Sequence, residues 1–208
     1  SPDVVAYVRY LEVIAGKSAN TAFSYYCDLR GFSRFMKRRR GLVPADCELK
    51  DIDPKGLDAA FWASVTKEDI YEYLYFLGSE CGNKKSSTAR RLASLHGFYD
   101  YLVNQVNKLE ADPTAAIHPP KQDKVLPKYL TAEQSMDLLE STQFQSDFPE
   151  RDYCMVVLFL NCGMRLAELV GMDLEDIDME NRQIRLFGKG HKERMVYLND
   201  ACMEALQL

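Results

Sequence analysis

The stretch Asn161-Cys162-Gly163-Met164-Arg165-Leu166-Ala167-Glu168-Leu169-Val170-Gly171, with Ile184-Arg185-Leu186-Phe187-Gly188-Lys189-Gly190-His191-Lys192-Glu193-Arg194 after it, decides how this chain is to be understood. Gly163 interrupts one apolar helical run, and Arg165 opens a second, amphipathic one. An arginine placed there can offer its planar fork of donors to two phosphate oxygens at once. Gly188-Lys189-Gly190 is a turn between two strand-like runs, from which Lys189 can swing a proton donor onto the same anion. Glu168, one turn after Arg165, shares its helical face and can hold the guanidinium through a charge-assisted bond. Each feature alone has a plainer reading. An Arg-x-x-Glu pair is usually a solvated contact, and a Gly-Lys-Gly turn is usually a soluble hairpin tip.

Residues 183–187 and 194–198 alternate as the two arms of a hairpin. Asn199 then caps a helix whose apolar stripe runs to Leu208 without a glycine or proline stop. Upstream, helices are expected from Thr131, with Glu133 and Gln134 in the first turn, and from about Pro149 to Asn161. Residues 112–127 hold four prolines and little periodicity, which predicts an extended, stiff join.

Before that join the chain reads as helices. Val4, Val5, Val8, Leu11 and Ile14 stand at helical spacing, and Gly16 stops the run. Ser18 and Asn20 can cap a second helix with the apolar face Phe23, Tyr26, Leu29, Phe32, Phe35 and Met36, ended by Gly41. Thr66 with Asp69 sets a capping pattern before Ile70, Tyr73, Leu74 and Leu77. Ser86 and Ser87 introduce a fourth helix with Leu92, Leu95, Phe98, Tyr99, Leu102 and Val106. Residues 42–64 are too long for a simple connection and read as an insertion with a short turn near 57–62.

The hydrophobic share of 47% is that of a folded protein, and no apolar run approaches the roughly 20 residues that span a bilayer. The six cysteines are irregularly spaced without a C-x-x-C pair, and the three histidines are scattered, so no metal site is expected. Cysteines in apolar helices, such as Cys154 and Cys162, suit a reducing compartment and predict a cytoplasmic protein. The net charge of −5 hides an asymmetry. Residues 1–126 carry 18 lysines and arginines against 16 acidic residues, and residues 127–208 carry 8 against 15. A basic first half is compatible with a phosphate-contacting surface, because neutralisation depends on local patches.

Two such patches stand out. Lys17, Ser18, Asn20 and Thr21 gather at one helix start, and Lys84, Lys85, Ser86, Ser87, Thr88, Arg90 and Arg91 at another. They mix cations with short hydroxyl and amide side chains, suited to phosphate and base-edge contacts. The helix starts add backbone donors. Arg30, Arg34 and Lys37 continue along one side of the second helix. The plain alternative is a solvated helix face, and Arg38-Arg39-Arg40 can be a favourable C-terminal charge pattern. Phe23, Tyr26, Phe32, Phe98 and Tyr101 repeat with leucines at helical spacing, which predicts core positions rather than base stacking.

The order of these pieces resembles the tyrosine recombinases, the phage integrase and Xer family. Ser18-Ala19-Asn20-Thr21 with Tyr25, Asp28, Leu29 and Phe32 resembles that family's first core-binding signature. Residues 86–95 through Phe98-Tyr99-Asp100-Tyr101-Leu102 resemble its second, and Leu126-Pro127-Lys128-Tyr129-Leu130-Thr131 the start of its catalytic domain. Arg165 and Lys189, 24 residues apart, stand close to the family's spacing of first arginine and hairpin lysine.

The resemblance implies a mainly α fold. It divides into a four-helix, SAM-like core-binding domain over 1–110, a proline-rich linker over 111–127, and a truncated mixed α/β catalytic domain with a β-hairpin over 128–208. It implies Arg165 as a phosphate-stabilising arginine, Lys189 as general acid in preference to Lys192, Glu168 as support, and Lys121 and Lys124 along the DNA backbone.

The implied activity is site-specific recombination through a 3′-phosphotyrosyl intermediate, without metal or other cofactor. It would act on double-stranded DNA with inverted-repeat sites, as a homo-tetramer when full length, and away from membranes. The family's His-x-x-Arg, further His or Trp and tyrosine nucleophile do not follow Lys189, and Tyr129, Tyr153 and Tyr197 fall outside the motif order. The expectation is therefore a fragment cut within the catalytic domain, binding DNA without cutting it. A naturally short, inactive DNA-binding regulator of recombination and a helical interaction protein with no DNA role are the other readings.

Overall fold

The computed structural model describes residues 1–44, 46–121, 126–188, 190 and 192–208. The chain divides into two compact units, Ser1–Lys124 and Val125–Leu208, each with its own core.

The first unit is helical. Its main elements are α1 (Pro2–Val13), α2 (Ala19–Arg39), the short α3 (Ala59–Ala63), α4 (Lys67–Ser79) and α5 (Lys85–Asp100), which continues as a π-helical turn, Tyr101–Gln105. Short-range capping sets several boundaries. Ser18 Oγ accepts from Thr21 N at the start of α2, and Thr66 and Asp69 close a reciprocal capping box on α4. Gly16 and Gly41, both at positive φ, follow α1 and α2. Helix α5 differs from expectation in its cap: Lys84 occupies that position, and Ser86 and Ser87 lie inside the first turn.

The core is aromatic. Tyr7, Phe32, Trp62, Tyr73, Phe98 and Tyr99 are buried together with Leu29, Met36, Ile70, Leu77, Leu92 and Leu95. Trp62 meets Phe98 edge-on, with centroids 5.0 Å apart at 80°. Phe23, expected on the apolar face of α2, is 65% exposed, because that face begins at Ala22 and continues through Leu29, Phe32 and Met36.

Residues 42–64 also belong to this core. Ile52, Leu57 and Trp62 are buried, Arg34 Nε donates to Ile52 O at 2.8 Å, and Lys37 Nζ donates to Asp53 O at 2.8 Å. The first part of the expected join is likewise folded. Asp112 Oδ1 accepts from Thr114 N at 2.7 Å in a turn that buries Thr114 and Ile117. A polar, proline-bearing stretch hides this because, among its described residues, Ile117 is the one hydrophobic side chain that joins the core.

The second unit contains α6 (Ala132–Gln145), α7 (Pro149–Cys162), the one-turn α8 (Leu166–Val170), a three-stranded antiparallel sheet and α9 (Asp200–Gln207). The sheet order is β1 (Ile177–Asp178), β2 (Gln183–Phe187), β3 (Glu193–Tyr197). Strands β2 and β3 pair from Gln183↔Tyr197 to Phe187↔Glu193. Ile184, Leu186 and Val196 face the core, with Val157, Leu158, Met164 and Leu169. Strand β1 is only two residues long, too short for a period-two signal. Among the described residues, no helix is long and apolar enough to cross a membrane.

Candidate phosphate-facing site

The site grows from the end of α7. Gly163 takes a left-handed conformation, φ +56°, and its N–H bonds Phe159 O at 3.2 Å. The turn it makes delivers Arg165 to the cap position of α8, with extended backbone dihedrals. Glu168 then reaches back: Oε2 accepts from Arg165 N at 2.8 Å, and Oε1 accepts from Arg165 Nη1 at 2.7 Å. The carboxylate therefore fixes both the backbone and one edge of the guanidinium. The Arg165 side chain stays 74% exposed, whereas that of Glu168 is 2% exposed.

A second arginine completes the arrangement. From β3, Arg194 Nη2 donates to Glu168 Oε2 at 2.8 Å and Arg194 Nε to Glu168 Oε1 at 3.3 Å. Arg194 Nη2 also donates to Gly163 O at 3.2 Å. These bonds, led by those from Arg194 and then from the Arg165 backbone, hold the Glu168 carboxyl down at about 2. The carboxyl is thereby kept in its ionised form at physiological pH. The hairpin abuts the same carboxylate, because a side chain at Gly188 would stand 3.5 Å from Glu168 Oε1. Gly188 N bonds Lys192 O at 2.8 Å where the arms close.

Arg165 and Glu168 thus converge as their spacing suggested. Lys189 and Lys124 lie outside the described residues. Lys192 and Lys121 are exposed. Sequence reasoning gave Arg194 no role, since no pattern links a strand position to a helical carboxylate 26 residues earlier.

The candidates of the first unit sort into two groups. Lys17, Ser18, Asn20, Lys84, Lys85 and Ser86 are exposed at the starts of α2 and α5, and Thr21 and Ser87 are half-buried there. Ser18 and Thr21 hydroxyls bond each other at 2.9 Å.

The others are held by the fold. Thr88 is 7% exposed, so its hydroxyl is not on the surface as expected, because the fourth position of α5 already turns toward the core. Arg90 grips the buried Asp28 with both ends of its fork, Nη2 to Oδ1 at 2.9 Å, and Arg91 Nε stands 3.8 Å from Oδ1. Arg34 is bonded to Ile52 as described, and Arg30 lies over the Tyr26 ring at 5.7 Å. Arg39 and Arg40 hold Asp69, at 3.0 and 2.7 Å, and so pin the start of α4. Among the described residues, no three His, Cys, Asp or Glu side chains are grouped to hold a metal ion.

Comparison with known proteins adds a family. Residues 128–208 match the phage integrase family. The chain is 39% identical over 205 residues to a tyrosine recombinase XerC of Caldanaerobacter subterraneus, covering 99% of this chain and 57% of that protein. It is 33% identical to a tyrosine recombinase XerD of Halalkalibacterium halodurans, covering 97% of this chain and 61% of that one. The chain therefore spans less than two thirds of either relative. Among solved structures, a lambda integrase tetramer bound to a Holliday junction matches 99% of this chain and 55% of its own, with a TM-score of 0.65 and 19% identity. That likeness concerns the fold.

Proposed function

We propose, from the premise that this chain belongs to the tyrosine recombinase family, that it supplies the DNA-gripping helices and the first phosphate-facing groups of a site-specific recombinase. The observation that carries this reading is the state of Arg165: its guanidinium is fixed on one edge by an ionised, buried carboxylate while the rest projects into solvent.

In such a reaction a tyrosine oxygen attacks a backbone phosphorus, the bond from phosphorus to the 5′-oxygen breaks, and a 3′-phosphotyrosyl bond forms. Phosphodiester energy is conserved, and a strand's 5′-hydroxyl can reverse the step. Negative charge gathers on the non-bridging oxygens in between. A preorganised guanidinium stabilises that charge with little reorganisation, and this is the role assigned to Arg165. Lys189 would protonate the departing 5′-oxygen, which would otherwise leave as an alkoxide. Glu168, already ionised, holds Arg165 and exchanges no proton.

Lys17, Ser18, Asn20 and Thr21, with Lys84, Lys85, Ser86 and Ser87, are the proposed DNA contacts of the first unit, and Lys121 and Lys124 follow the DNA backbone. Arg30, Arg34, Arg90 and Arg91 are proposed to hold the helices that present them. The proposed setting is cytoplasmic, with inverted-repeat duplex sites and a homo-tetramer on DNA.

No His-x-x-Arg or later tyrosine nucleophile in the family's order follows Lys189 within these 208 residues, so they should bind DNA without cutting it. Fluorescence anisotropy of a labelled duplex, followed by a denaturing gel, tests this. The expected result is binding that weakens steeply with salt, with a log–log slope of about −0.9 per phosphate neutralised, and no covalent adduct. Absence of binding at low salt, or a covalent adduct, would overturn the reading.

A further inference from the structure

The Glu168 carboxylate offers about four acceptor positions, and four donors fill them: Arg165 N, Arg165 Nη1, Arg194 Nε and Arg194 Nη2. At 2% side-chain exposure it has little water with which to replace a lost donor. Arg165, by contrast, spends only Nη1 and its backbone N–H on this carboxylate, and it is the group with donors to spare. If the two bonds from β3 were removed, the nearest mobile donors would be those of Arg165, whose fork fits a carboxylate edge-on. The guanidinium would then be drawn inward and its solvent-facing donors consumed.

We propose that Arg194 is a positioning residue, which saturates Glu168 from the hairpin side so that the free edge of Arg165 stays available to a phosphate. Its third bond, to Gly163 O, ties the same strand to the turn that aims Arg165. One side chain thereby couples the hairpin arm to the arginine-bearing turn. Two guanidiniums around one carboxylate also leave a local charge of +1, which suits an incoming anion. This rests on the reading of Arg165 as a phosphate-binding group.

The test is a double-mutant cycle on duplex binding by the 208-residue chain, with a random-sequence duplex as probe and circular dichroism confirming that each variant is folded. Arg165→Ala should weaken binding about tenfold, the worth of one charge-assisted contact. Arg194→Met should weaken it by a similar factor, and the double variant should bind no worse than Arg165→Ala alone. Arg194→Lys serves as the second variant and covers the case in which the methionine variant does not fold. It keeps the charge but not the planar fork, so it too should weaken binding. Additive losses, or wild-type binding by Arg194→Lys, would overturn the positioning role while leaving Arg165 in place. No effect of Arg165→Ala would instead remove the reading beneath it.

Discussion

Glu168 on α8 and Arg194 on β3, 26 residues apart in sequence, are joined by two hydrogen bonds of 2.8 and 3.3 Å. That pair ties the α8 turn to the hairpin arm, and Arg194 is the largest cause of the lowered Glu168 carboxyl, ahead of the Arg165 backbone N–H.

Acid titration should reveal the clamp. The Glu168 carboxyl is lowered to about 2 in the folded chain, against roughly 4.3 for an unfolded glutamate. A depressed carboxyl contributes stability that is fully present above the unfolded value and is lost as pH falls through the folded one. Denaturant midpoints measured from neutral pH down to that range should therefore fall more steeply for the wild type than for Glu168→Gln. Parallel curves would show that the clamp contributes nothing.

Gly97 on α5 should resist enlargement. A methyl there would overlap the Tyr7 hydroxyl, and Tyr7 is buried against Phe98 and Tyr101. Gly97→Ala is expected to cost about 1–3 kcal/mol in urea unfolding, in line with other overpacked cores. Adding Tyr7→Phe should recover part of the loss, and wild-type stability of the single variant would contradict the contact.

Fold-holding and DNA-facing cations should separate experimentally. Asp28→Ala strips Arg90 and Arg91 of their buried partner and is expected to lower stability by about 1–3 kcal/mol, with the exposed side of Arg90 limiting the cost. Lys17→Ala and Lys84→Ala should leave stability unchanged and each make the salt slope of duplex binding shallower by about 0.9. Alanine at Arg90 leaves the buried Asp28 carboxylate without its main partner, so it tests stability rather than DNA contact. A slope unchanged by both lysine variants would count against these helix starts as the DNA face.

Much of the fold was legible because its signals are short-range. Thr66 with Asp69, Thr131 with Gln134 and Asn199 with Cys202 each act across three residues, and such caps mark helix starts in the sequence itself. The alternation of Ile184 and Leu186 with Arg185 and Phe187 likewise marked a strand. What escaped depends on distant partners. Arg90 is an exposed cation, and nothing local in the sequence ties it to Asp28, 62 residues earlier, whose buried carboxylate it holds. Thr114 and Ile117 sit in a proline-bearing stretch whose burial depends on the rest of the helical unit. At the site, Arg165 and Glu168 were readable as an i,i+3 pair, whereas Arg194 could be joined to them only by the folded sheet.

Side-chain NMR of the labelled chain, titrated with duplex DNA, reads out whether Arg165 and Lys189 meet the same phosphate. If Arg165 and Lys189 face one phosphate, the Arg165 Nε–H and Lys189 Nζ resonances should shift together as the complex forms, and Glu168→Gln should diminish both changes. Saturated binding that leaves both resonances unmoved, with shifts confined to the starts of α2 and α5, would show that neither side chain faces the bound phosphate.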